Sequence, residues 1–71
     1  MMEWIETPQS SNIARFAYDA PTQVITVEFK TGGTYNYFDI PEVIFEQMKM
    51  APSKGQFLAQ QIKGRYRYAR A

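Results

Sequence analysis

The sequence of 71 residues contains no cysteine and no histidine. Without cysteine, the chain has no disulfide and no thiolate ligand for a metal ion. Without histidine, it lacks the commonest general base and cannot form the Ser–His or Cys–His pairs that activate many nucleophiles. These absences argue against catalysis, and we expect a binding domain that needs no metal ion and no cofactor.

Long apolar segments and a leader pattern are also missing. No apolar run approaches the roughly 20 residues that a membrane-spanning helix needs. Residues 1–6 are acidic and lack the basic and then apolar pattern of a signal peptide. We therefore expect a cytoplasmic protein with no membrane partner.

Acidic residues are absent from the last third of the chain. Residues 1–48 hold all seven acidic side chains and two basic ones, Arg15 and Lys30, which gives a formal charge of −5. Residues 49–71 hold six basic side chains and no acidic one, which gives +6. Residues 65–68 also alternate arginine with tyrosine. Because cations neutralise phosphates and aromatic rings stack on bases, this pattern indicates a nucleic-acid partner.

The short chain limits the organisation to one domain. A domain of this size buries only about 60% of its unfolded surface, so it needs a tightly packed aromatic core or oligomerisation to be stable. The Thr7–Asn12 stretch is rich in turn-forming residues and leads into the domain. We assign residues 1–9 to an N-terminal lead-in segment and residues 10–71 to a single domain.

Three strands and two helices are predicted, in that order. Residues 13–18, 24–29 and 34–38 have the alternation or β-branched content of strands, and a hairpin turn at Gly32 and Gly33 separates the last two. Asp39 is placed to accept from the first N–H groups of helix one, and Ser53 is a good N-cap for helix two. Residues 65–71 are predicted as a short strand or a frayed end. The predicted apolar stripes are Ile40, Val43, Ile44, Met48 and Ala51 in the first helix and Leu58, Ile62 and Tyr66 in the second.

This order predicts an α+β fold, a three-stranded antiparallel meander followed by two helices packed on one sheet face. The other sheet face is expected to remain open to water or to a partner.

Tyr35 and Tyr37 are expected on one face of the third strand, about 7 Å apart. In that position, they form a stacking platform for two bases or for a base and a sugar. The alternative is that both rings cover the core and only their hydroxyl groups reach its edge.

Ser53, Lys54 and Gly55 form a candidate anion site at the start of the second helix, where free N–H groups and the positive end of the helix dipole meet. The alternative is a capping serine followed by a surface lysine. The basic and aromatic tail, residues 63–68, likewise either binds phosphates and bases or is a solvated terminus with Tyr66 in the core. The predicted nucleic-acid-binding residues are Tyr35, Tyr37, Lys54, Lys63, Arg65, Tyr66 and Arg67.

A set of motif residues is spread over most of the chain, and their order and spacing are specific although each is weakly informative alone. These residues are Ser11, Ile13, Tyr18, Asp19, Val27, Glu28, Phe29, Gly33, Tyr35, Tyr37, Pro41, Ala51, Ser53, Lys54, Gly55, Phe57, Ile62 and Tyr66. Through them, from about Ser10 to Tyr68, the chain resembles the KTSC domain, a module found at the C-terminus of some lysyl-tRNA synthetases and as a small separate protein in bacteria and phages.

The resemblance implies a domain of unknown function, for which the fusion to a synthetase suggests RNA binding. The sequence departs from the family pattern at three positions. Pro52 stands where a serine is common, Leu58 replaces an aromatic residue, and Ala59 replaces an asparagine.

Three functions are compatible with the sequence. The first is RNA binding through the basic and aromatic residues. The second is a protein-interaction module, in which the acidic and basic parts of the chain pair with a charged partner or with a second copy. The third is an oligomer that captures a small nucleotide between the same rings and cations.

Overall fold

The computed structural model describes residues 3–71, in which five strands form one antiparallel sheet in the order β1-β2-β3-β4-β5. The predicted α+β class is confirmed, but the prediction of three strands is wrong, since two further strands extend the meander at its edges. The strands are β1 (Glu3–Glu6), β2 (Ile13–Asp19), β3 (Val24–Phe29), β4 (Thr34–Tyr37) and β5 (Tyr68–Arg70).

Strand β1 lies within the segment assigned to the lead-in. It pairs with β2 so that Ile5 lies opposite Phe16. Trp4 and Ile5 are adjacent in the sequence and lie between two glutamates. The segment therefore has little of the alternation of apolar and polar residues that predicts a strand. Pairing with β2 is what orders this segment, and that contact depends on residues about ten positions further along the chain.

Strand β5 closes the opposite edge of the sheet. Gly64 adopts a φ of +79° and turns the chain after the second helical segment. The chain then pairs with β4, with Tyr68 opposite Tyr37 and Arg70 opposite Tyr35. Of the two alternatives for residues 65–71, the structure adopts the strand.

The first helix, α1 (Glu42–Met50), follows Pro41, which is its N-cap without a side-chain hydrogen bond. The prediction that Asp39 caps this helix is wrong, because Asp39 turns the chain at a φ of +59° and accepts from Arg67 instead. The predicted core position of Val43 is also wrong: Val43 is 57% exposed, and Phe45 is buried in its place.

The second helical segment begins as predicted. Ser53 caps α2 (Lys54–Phe57), and its Oγ accepts from the Gln56 N–H. The segment continues as a π-helix (Leu58–Ile62), in which the Lys63 N–H donates to the Leu58 carbonyl at 2.8 Å. Leu58 and Ile62 are buried, as the predicted stripe requires.

The core lies between one face of the sheet and the helical segments. Strand residues of that face and buried residues of the helices belong to a single hydrophobic cluster. The cluster consists of Ile13, Phe16, Tyr18, Ile25, Val27, Tyr37, Ile40, Phe45, Met48, Leu58 and Ile62. No helix within residues 3–71 has the length and apolar character needed to cross a membrane.

Candidate nucleic-acid interface

A concave site of about 620 Å³ lies between the β4–β5 edge of the sheet and the end of the π-helix. We call it the aromatic groove. Two turns provide small residues at its sides, with Thr31 and Gly32 before β4 and Gly64 after the π-helix. Four aromatic side chains and one cation complete its lining, namely Phe29, Tyr35, Tyr37, Tyr68 and Lys63.

Sheet register brings the aromatic rings of the groove together. Antiparallel partners share a face, so Tyr68 lies on the same side as Tyr37. The Tyr68 ring centroid is 5.8 Å from that of Tyr37 and 6.0 Å from that of Tyr35, and Tyr35 meets Phe29 edge-on at 5.8 Å. The groove therefore contains a continuous aromatic surface built from three strands.

The exposed fraction of each tyrosine separates structural from accessible rings. Tyr37 is 2% exposed and belongs to the core cluster, whereas Tyr35 is half-buried against it. Tyr68 is 61% exposed. Burial raises the pKa of Tyr37, and the neighbouring Tyr35 and Tyr68 raise it further. Of the two tyrosines predicted to stack on bases, Tyr37 forms part of the floor and Tyr35 is partly accessible. The most accessible ring belongs to Tyr68, which was not one of the two.

Two cations border the aromatic groove. The Lys63 Nζ lies 5.7 Å from the centroid of the Phe29 ring. Arg70 lies on the same sheet face as Tyr35, and both side chains come within 4 Å of the position that a Cβ on Gly33 would occupy. None of the lining residues is acidic. The groove is thus positively charged as well as aromatic.

Ser53 and Lys54 lie in a different pocket. This pocket, of about 430 Å³, is formed by residues 6–11 and 52–54. The Lys54 Nζ donates to the Ala51 carbonyl at 2.8 Å, and the Ser53 hydroxyl caps α2. The structure therefore separates the predicted anion site from the aromatic groove, so Lys54 does not lie with Tyr35 and Tyr37.

Gly55 has a packing role beside this second pocket. A Cβ added at Gly55 would overlap with the side-chain oxygen of Asn12, which accepts from the Ser10 hydroxyl at 3.0 Å. The absence of a side chain at position 55 thus allows the loop that precedes β2 to approach the helix closely.

This contact leads to a stability prediction. In an open helical site, Gly→Ala would stabilise the fold by about 1 kcal/mol. We expect Gly55→Ala to be about 1 kcal/mol less favourable in the wild type than in an Asn12→Ala background, since only the wild type has the overlap. Urea denaturation of the two single variants and the double variant measures this coupling, and additive effects would contradict it.

The basic tail divides between the two faces of the sheet. Tyr66 is half-buried against the core. Arg67 pairs with Asp39 at 3.2 Å and lies over the Phe38 ring at 5.4 Å. The Phe38 N–H donates to the Arg67 carbonyl at 2.9 Å, so the pairing of β4 and β5 continues to Arg67. Side-chain alternation therefore places Arg67 on the face opposite Tyr68. Arg65 is exposed and lies outside the lining of the aromatic groove.

The charge division of the sequence is partly neutralised in the fold. Lys49 pairs with Glu46 and Arg67 pairs with Asp39, so two ion pairs join the acidic and basic parts of the chain. Within the part of the chain that the structure describes, no group of three acidic residues forms a candidate metal site.

Sequence reasoning did not select Phe29, Tyr68 and Arg70 for the site. Tyr68 and Arg70 lie two apart near the C-terminus, and the strand alternative for residues 65–71 places them on one face. Phe29 carried no such signal, because it looks like any apolar residue of a strand.

These features define a small α+β domain with an aromatic, positively charged groove at one edge of its sheet. The chain belongs to the KTSC domain family, whose model matches residues 9–66. The resemblance stated from the sequence motifs is therefore confirmed.

Similar proteins include both large and small chains. The chain is 41% identical over 61 residues to the lysine–tRNA ligase of Trichormus variabilis, which covers 86% of this chain and 11% of that protein. The same figures hold for the lysine–tRNA ligase of Nostoc punctiforme. The chain thus spans about 11% of the length of these ligases. It is 34% identical to a protein of Tsukamurella paurometabola, with 83% of this chain and 88% of that protein covered.

A solved structure also matches the fold. The crystal structure of a KTSC domain protein from Yersinia pestis has a TM-score of 0.93 and 30% sequence identity. The match covers 100% of this chain and 99% of that chain. The fold is therefore shared with that protein.

Proposed function

We propose that this domain is a non-catalytic RNA-binding module and that the aromatic groove is its contact surface. The observation that carries the proposal is the convergence of exposed Tyr68 and half-buried Tyr35 with Lys63 and Arg70, without an acidic residue in the lining. Rings stack on bases, and cations contact the phosphates that flank them.

The relatives favour RNA over DNA as the partner. The same domain forms a small part of lysine–tRNA ligases, whose name identifies tRNA as their substrate. A contact surface for RNA is of direct use to such an enzyme, and we extend this role to the present chain. An RNA-binding role also favours a cytoplasmic location, where tRNA and messenger RNA are used.

The salt dependence of binding tests the electrostatic part of the proposal. Fluorescence anisotropy with short single-stranded RNA, hairpin RNA and DNA measures the affinity at two salt concentrations. If Lys63 and Arg70 each neutralise one phosphate, the affinity for single-stranded RNA falls about sevenfold between roughly 50 and 200 mM salt. A decrease of less than about twofold would contradict phosphate contacts by these residues.

A pair of charge-matched variants tests the position of the site. Lys63→Ala/Arg70→Ala removes both cations of the aromatic groove, and we expect it to weaken binding and remove most of the salt dependence. Arg65→Ala/Arg67→Ala removes the same charge outside the groove, and we expect a smaller loss. If the second variant loses more affinity than the first, the surface that carries Arg65 and Arg67, and not the aromatic groove, is the RNA surface.

The two alternative functions correspond to other outcomes of these measurements. If no nucleic acid binds, the proposal is wrong and the protein-interaction module becomes the better interpretation. If mononucleotides bind as tightly as RNA and the protein forms oligomers, capture of a small nucleotide is favoured.

A further inference from the structure

The aromatic groove is concave and does not protrude from the protein surface. Its lining includes the turn with Gly32 and the turn with Gly64 that follows Lys63. Both glycines have positive φ, and a Cβ added at either position would meet no atom within 4 Å. The backbone at both turns is therefore accessible to a ligand in the groove.

Tyr68 is the ring that such a ligand meets first. Its contacts with Tyr35 and Tyr37 are tilted, at 53° and 34°, and 61% of the residue remains exposed. The volume of about 620 Å³ is in the range of pockets that enclose small aromatic molecules. The groove thus has both a ring for stacking and the space for an inserted ring.

We propose that the aromatic groove accepts one unpaired base of a single-stranded RNA segment, stacked on Tyr68, with Lys63 and Arg70 beside the phosphates on either side of it. This inference rests on the proposed function and names the form of RNA that is bound. A base in a duplex has both faces covered by its neighbours and offers only its edges in a groove. A concave site cannot reach those edges, whereas an unpaired base can enter it.

The charges favour a flat ligand that is anionic. A cationic ligand would be repelled by Lys63 and Arg70, and the lining has no carboxylate to compensate for it. An uncharged aromatic ligand would form no ion pair with Lys63 or Arg70. A nucleotide within a strand satisfies the rings and the cations together.

Competition between three RNAs of one sequence tests the inference on the wild-type protein. The RNAs are a single strand, its blunt duplex, and a hairpin that displays the same bases in its loop. We expect the single strand and the loop to bind at least about tenfold more tightly than the duplex. Equal affinity for the duplex would overturn the inference while leaving the proposed function intact.

Variants at Tyr68 test the stacking contact. Stacking on one aromatic side chain predicts that Tyr68→Leu weakens single-strand binding roughly five- to 150-fold, while Tyr68→Phe stays within about twofold. Thermal unfolding of both variants establishes that the sheet is retained. An unchanged affinity of Tyr68→Leu would contradict the inference.

A base analogue gives a readout that does not depend on affinity. A single 2-aminopurine in the RNA loses fluorescence when it stacks on an aromatic ring. We expect quenching by the wild type and by Tyr68→Phe, and none by Tyr68→Leu at saturating protein. If no RNA binds at all, the proposed function itself is wrong, and this result is distinct from binding without quenching.

Discussion

Replacing Phe16 by alanine is expected to lower the free energy of unfolding by about 3–5 kcal/mol. Phe16 is 0% exposed in the middle of β2, and its ring meets Phe45 of α1 edge-on at 5.9 Å. The substitution removes this contact between the sheet and the helix and leaves a cavity that a close-packed core cannot fill.

The effect is large relative to the stability of so small a domain. General values per residue give roughly 4–11 kcal/mol for the free energy of unfolding of 71 residues. Urea denaturation, followed by circular dichroism and by the fluorescence of the single tryptophan, Trp4, measures the loss.

Val43→Ala on α1 is the control for Phe16→Ala. Val43 is 57% exposed, so Val43→Ala should change the free energy of unfolding by no more than about 0.5 kcal/mol. A loss below about 1 kcal/mol for Phe16→Ala would show that this ring does not support the core as its burial indicates.

Removing the hydroxyl group of Tyr18 is expected to lower the free energy of unfolding, by less than Phe16→Ala does. The Tyr18 hydroxyl donates to the Ile40 carbonyl at 2.6 Å, and the ring stacks on Phe45 with centroids 4.8 Å apart. Tyr18→Phe retains the ring but leaves a buried carbonyl without its donor, which costs about 1–3 kcal/mol. This bond ties the segment before α1 to the sheet.

Tyr68→Phe is the control for this substitution, because the residue is 61% exposed and its hydroxyl group has access to water. Its free energy of unfolding should stay within about 0.5 kcal/mol of the wild type. Equal losses in the two variants would mean that the buried hydrogen bond contributes no more than an exposed hydroxyl group.

Tyr18 also links stability to alkaline pH. Burial raises the pKa of Tyr18, and the carboxylates of Glu42 and Asp19 raise it further. The unfolded chain releases the phenolic proton near pH 10, before the folded chain does. The stabilisation by the protonated Tyr18 phenol is therefore complete below about pH 10 and is lost as the pH rises through the pKa of the folded state. Urea denaturation at about pH 8 and about pH 11 measures how much the free energy of unfolding falls between the two. We expect a smaller fall for Tyr18→Phe than for the wild type. A decrease of the same size in both would contradict this linkage.

Local sequence signals predicted the middle of the fold. The β-branched, alternating Val24–Phe29 segment forms a strand because its side chains suit a half-buried pleated surface. Ser53 caps the second helical segment because its hydroxyl accepts from a nearby free N–H. Family motifs spread over the chain identified the KTSC domain before the structure did.

The pairing of the edge strands could not be predicted in the same way, although a short strand was one of the two alternatives for residues 65–71. Strand β5 pairs with β4 about thirty residues earlier, and no local pattern encodes that contact. Packing also decides which face of α1 is buried. Phe45 and Val43 are two residues apart, and Phe45 is buried because its ring contacts the rings of Phe16 and Tyr18.

The sequence by itself determined the class of fold, the family, the absence of cysteine and histidine chemistry, and the supply of cations and rings near the C-terminus. Only the tertiary structure decided which of these residues meet. Phe29, Tyr35, Lys63 and Tyr68 converge because strand pairing and the turn at Gly64 bring distant segments to one edge of the sheet. Arg67 is adjacent to Tyr68 in the sequence but lies on the opposite face, since successive side chains of a strand alternate.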